Sequence, residues 1–80
     1  MNKEALIDFA IINNLLVEIV TMGYSIPRIG KIRMKSDPYL HFQPLDPAKS
    51  DTFPYKREIR SIVIKDEWFI KKNLIKLVLM

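Results

Sequence analysis

The sequence predicts an α+β fold: one small domain in the order α-β-β-β-α, with a three-stranded, mainly antiparallel sheet. Three observations point to it. A dense apolar segment of helical length opens the chain over 3–22, two runs with period-two alternation fill 29–43, and a β-branched run lies at 58–64. With 80 residues in all, residues 1–80 make a single domain, because either half would lie at or below the ~40-residue floor for unaided folding.

Residues 3–22 read as a helix ended by Gly23 and followed by Pro27. One half of its wheel collects Ala5, Leu6, Phe9, Ala10, Ile12, Leu16, Val17, Ile19 and Val20 as a core face. Ile7, Ile11 and Leu15, spaced i, i+4, i+8, form a second stripe among Lys3, Glu4, Asp8, Asn14 and Glu18. A helix apolar on two sides needs two neighbours, so a homodimer through Ile7, Ile11 and Leu15 is expected.

Residues 29–35 alternate, sending Ile32 and Met34 one way and Lys31, Arg33 and Lys35 the other. Ser36-Asp37-Pro38 supplies a turn. Residues 39–43 then set Leu40 and Phe42 against Tyr39, His41 and Gln43. A hairpin of these strands has one apolar face and one face with three cations beside a Tyr and a His. Pro44, Pro47 and Pro54 make 44–55 a loop, of a length that often signals function. The third strand is 58–64, where Ile62-Val63-Ile64 reads as buried on both sides. Over 66–79 the expectation is one helix with Asp66 at its cap and a Glu67–Lys71 pair; the alternative is a short helix at 66–73 and a strand at 74–79.

Charge narrows the classes of function. The chain carries net charge +4, yet residues 1–22 hold Lys3 against Glu4, Asp8 and Glu18, so the cationic excess lies downstream. Arg28, Lys31, Arg33 and Lys35 follow one another with no acid between them, a pattern that favours a polyanionic partner. A membrane span over 5–22 would have to bury Asp8, at ~2.5–3.5 kcal/mol near a helix centre. No membrane association and a cytoplasmic location are therefore expected.

The chemistry-bearing residues are few. Cysteine is absent, His41 is the single histidine, and the carboxylates Asp46, Asp51, Asp66 and Glu67 have no metal-ligand spacing. Gly23 and Gly30 cannot build a phosphate-cradling loop, and Ser25, Ser36, Ser50 and Ser61 lack a nucleophile motif. The expectation is a non-enzymatic protein with no cofactor, no metal and no catalytic residue.

The leading reading is a small basic protein contacting RNA or DNA through the cationic hairpin face. Lys31, Arg33 and Lys35 would meet phosphates, and Tyr39 and His41 would offer π-faces. Phe53, Tyr55, Lys56, Arg57 and Arg60 form a second basic-aromatic group, of which Lys56, Arg57 and Arg60 join the binding set. The alternative is an inhibitor or antitoxin-like module that grips a protein partner, an acidic one for instance, through excess apolar surface including Trp68-Phe69. The third is a metal-independent ribonuclease using Arg33, Lys35, Tyr39 and His41, since RNA supplies its own 2′-OH nucleophile.

Overall fold

The computed structural model describes residues 2–79, with side chains through Asn73. Its elements are α1 (Lys3–Ile12), β1 (Leu16–Thr21), β2 (Arg28–Ser36), β3 (Tyr39–Pro44), a 3-10 turn (Lys56–Glu58), β4 (Ile59–Ile64) and α2 (Glu67–Leu79). The four strands form one antiparallel sheet in the order β3-β2-β1-β4. The α+β class and small size agree with expectation; the strand number and element order do not.

The expected helix over 3–22 divides in two. Asn2 Oδ1 accepts the Ala5 N–H at 2.8 Å and starts α1. Asn13 and Asn14 stop it: Asn13 Nδ2 donates back to the Phe9 carbonyl at 3.0 Å, and Asn14 takes the left-handed conformation at φ 52°. The chain then reverses into β1, where Val17, Ile19 and Thr21 are buried on alternate positions. Gly23 does mark a turn, at φ 85°, but between two strands.

The proposed dimer stripe is core. Ile7 is 0% and Leu15 2% exposed within one chain, and Ile11 packs against the same cluster. Ile7 and Ala10 of α1 lie with Val17, Ile19, Ile32, Leu40, Phe42 and Ile59 in a single apolar layer between helix and sheet. Once the helix ends at Ile12 it has only one side to cover, and the reason for a second copy on that stripe disappears.

Gly30 explains how tightly β2 and β3 approach. A Cβ there would meet the Gln43 carbonyl oxygen, the Phe42 ring and Pro44 Cα, the last two at 2.8 and 2.9 Å. The hairpin turn at Asp37-Pro38 contains a cis peptide bond. Val63 is exposed while Ile62 and Ile64 are half-buried, so β4 is covered on one side only, contrary to the expected two-sided burial. The C-terminal segment is helical throughout α2, and Phe69 meets Phe9 of α1 edge-on at 5.7 Å. Among the described residues no helix is long and apolar enough to cross a membrane.

The segment expected to be an unstructured loop is partly a strand partner. Thr52 and Phe42 exchange backbone hydrogen bonds at 2.9 and 3.0 Å, Leu40 N–H donates to Pro54 O at 3.0 Å, and Tyr39 stands opposite Tyr55. Residues 51–55 thus cover the outer edge of β3. Pro54 accepts the Leu40 N–H but has no N–H to return toward β3, so the pairing is broken there, between the Thr52–Phe42 exchange and the Lys56 N–H that donates to Pro38 O.

Candidate nucleic-acid interface

One residue decides which way the hairpin cations point. The β2–β3 register runs Ile32↔Phe42 and then Met34↔His41, so Arg33 is an extra residue in a bulge. Beyond it the alternation inverts. Lys31 shares a side with Gln43, but Lys35 stands opposite Leu40 on the helix-covered side. The expected row of Lys31, Arg33 and Lys35 on one face is therefore not formed. Arg33 donates from Nη1 to Asn14 Oδ1 at 3.0 Å.

Lys35 and Lys56 are held by carboxylates. Lys35 Nζ lies 2.7 Å from Asp8 and 2.8 Å from Glu4; Lys56 Nζ lies 2.9 Å from Asp37 and 3.2 Å from Glu4. Hydrogen bonds from Asp8 and Glu4 hold the Lys35 ammonium well above the ordinary lysine range, and those from Asp37 and Glu4 raise Lys56. Conversely, Lys35 and then Lys56 depress Glu4, and Lys56 depresses Asp37. Two lysines on three carboxylates leave this corner without cationic excess.

The other side of the hairpin gathers rings. His41 and Phe53 stack with centroids 5.0 Å apart at 20°, and Tyr39 and Tyr55 lie 4.7 Å apart at 34° with their hydroxyls 3.2 Å apart. That hydroxyl contact raises the Tyr39 pKa. The Arg57 guanidinium sits 4.9 Å from the Tyr55 ring centroid. Met34, Ser36, Tyr39, His41 and Phe53 line a hollow of about 440 Å³ beside these pairs. Phe53 is 61% exposed while one face of its ring lies on His41.

His41 has a partner that its strand alone does not reveal. Its Nε2 lies 2.7 Å from Asp51 Oδ2, and with the carboxylate ionised the ring nitrogen is the donor. Asp51 reads as a solvated loop acid in sequence. The signal for its role is the alternation Asp51, Phe53, Tyr55 against Thr52 and Pro54, a strand pattern obscured by proline. Of the eight residues expected to bind, Lys31, Tyr39, His41 and Arg57 belong to the uncovered side or its border. Arg60, on β4, is exposed three strands away from β3.

Compared with protein-family models, curated proteins and solved structures, the chain matches none.

Proposed function

We propose that this protein is a non-enzymatic binder of single-stranded RNA or DNA, with Tyr39, His41, Phe53 and Tyr55 as the stacking surface. The observation that carries the reading is the two ring pairs on the uncovered side of the sheet. Bases stack on exposed rings for ~1–3 kcal/mol each without regard to sequence, and flat sheet faces suit splayed single strands better than duplexes. Lys31 and Arg57 supply the adjacent positive charge, while Lys35 and Lys56 already serve Glu4, Asp8 and Asp37.

Fluorescence anisotropy with labelled single-stranded and duplex RNA and DNA tests this. Single strands are expected to bind more tightly, and Phe53→Ala to cost ~1–3 kcal/mol. Affinity untouched by Phe53→Ala, or a preference for duplex, overturns the reading. No binding at low salt would favour the protein-binding inhibitor instead. The His41–Asp51 contact favours one competing outcome, RNA cleavage. Loss of intact RNA that disappears in His41→Ala would replace binding by a ribonuclease.

A further inference from the structure

The sheet has two edges, and the chain treats them differently. Residues 51–55 cover β3, whereas β4 has β1 as its single strand neighbour among the described residues. The ladder fixes where the β4 backbone groups point. Lys65 N–H donates to Leu16 O at 2.9 Å, and the register continues without a shift through Val17↔Ile64 to Val20↔Ser61. Antiparallel strands turn alternate residues toward a given neighbour, so Lys65 and Val63 face β1. The N–H and C=O groups of Ile62 and Ile64 therefore face outward, and among the described residues none of them has a hydrogen-bond partner. The following chain turns inward instead of lying along this edge. Asp66 Oδ2 accepts the Leu16 N–H at 3.3 Å, and Phe69 of α2 meets Phe9 of α1.

Ser61-Ile62-Val63-Ile64 carries neither a charge nor a proline, the devices that keep open edges apart. We infer that β4 pairs antiparallel with β4 of a second copy of this chain, about a two-fold axis at Val63. Ile62 of each copy then stands opposite Ile64 of the other, and the outward N–H and C=O groups satisfy one another completely. A slip of two residues spoils this in either direction. One slip sets Ile64 against Arg60, the extra residue where the β1–β4 register shifts. The other sets Ile62 against Asp66, which lies beyond the strand. Charge selects the same arrangement. Arg60 is exposed and makes no ion pair among the described residues, and the two-fold places it opposite Asp66 of the second copy, next to Glu67. Because β3 is already covered, joining two β4 edges leaves neither copy an open edge, and assembly stops at two. This contact is separate from Ile7, Ile11 and Leu15, which lie in or against the core.

Sedimentation equilibrium over about 1–300 µM, a range that brackets a weak dimer, tests this. The wild type is expected to pass from one chain to two as concentration rises. Val63 is 45% exposed and sits on the axis, so Val63→Lys sets two like charges face to face. That variant and Val63→Glu should each associate roughly tenfold more weakly or worse, and an equal mixture of the two should recover the dimer. Hydrogen exchange at the Ile62 and Ile64 amides should slow with concentration in the wild type and stay fast in Val63→Lys. A wild type that remains a monomer overturns the inference and leaves the edge to a strand from a different protein. A dimer indifferent to Val63→Lys, or a mixture that does not recover, overturns it as well. Should Val63→Lys not fold, Arg60→Glu decides: a several-fold weaker dimer supports the pairing, and an unchanged one overturns it. None of these substitutions touches Tyr39, His41, Phe53 or Tyr55, so failure here and failure of the proposed function are read independently.

Discussion

The two sides of the sheet are cut from the same strands and serve opposite ends. On the helix-covered side, Val17, Ile19, Ile32, Leu40 and Phe42 are packed under Ile7 and Ala10 and hardly touch water. On the uncovered side, Met34, Tyr39, Val63 and the adjoining Phe53 are apolar too, yet each stays substantially exposed. An antiparallel sheet with one solvated face ordinarily reads apolar-in, polar-out. Here the solvated side mixes Met34, Tyr39 and Val63 with Lys31, His41 and Gln43, and its exposed apolar residues are available for contact. The helix-covered residues hold the protein together, and the exposed ones are those the proposed function uses.

Substitutions can break this contrast or sharpen it. The largest stability effect belongs to Phe42→Ala, which empties a fully buried ring site and should cost about 3–5 kcal/mol in urea unfolding. Phe53→Ala, a directly comparable change one strand away, should move stability by under ~0.5 kcal/mol while weakening nucleic-acid binding. Similar stability losses for the two would end the distinction between the sides.

Gly30→Ala comes next. The added carbon would press on the Gln43 carbonyl and the Phe42 ring, and about 1–3 kcal/mol of destabilisation is expected from thermal melts. A smaller effect should follow from Thr52→Val. Thr52 stands opposite Phe42, its hydroxyl buried without a partner, so removing that oxygen should leave stability unchanged or raise it by up to ~1 kcal/mol.

Charge offers the subtlest test. Replacing Lys31 and Arg57 together by Ser should reduce the salt slope of single-strand binding by about 1–1.5, the value for two phosphate contacts. Lys35→Ser should leave that slope unchanged, because Lys35 faces Glu4 and Asp8. The carboxylate corner also has its own pH signature. Glu4 and Asp37 are depressed, so their stabilisation is present above the ordinary carboxylate range and is lost as pH falls through it. Lys35 and Lys56 are raised, so their share is complete below the ordinary lysine range and is lost only at strongly alkaline pH. Melting temperature should therefore drop below about pH 4.5, and Glu4→Gln should flatten that limb.

Much of the hairpin is legible in the sequence because its alternation is local: β2, the Asp37-Pro38 turn and β3 fall where Ile32, Leu40 and Phe42 place them. The first twenty residues mislead for a physical reason. Apolar residues are so dense there that helical and extended periods both fit, and Ile7, Ile11 and Leu15 mimic a stripe. Asn13-Asn14, followed by the β-branched Val17, Ile19, Val20 and Thr21, was the discriminating signal. The candidate site was half legible. Tyr39 and His41 stand out on the strand, but a one-residue bulge at Arg33 cannot be read from alternation and reverses Lys35. The Asp51 contact depends on a pairing that the prolines disguise.

The position of β1 inside the sheet has a consequence for the chain during its synthesis. β1 pairs with β2 on one edge, but its other edge waits for β4, whose last paired residue is Ile64 against Val17. At ~5–20 residues per second, several seconds pass between the emergence of the two strands. Throughout that interval Val17, Ile19 and Val20 present an unpaired, β-branched edge to whatever is nearby. The nascent chain is thus most adhesive before β4 has been made, and a chaperone or slow dilution should matter more to its yield than the stability of the finished fold.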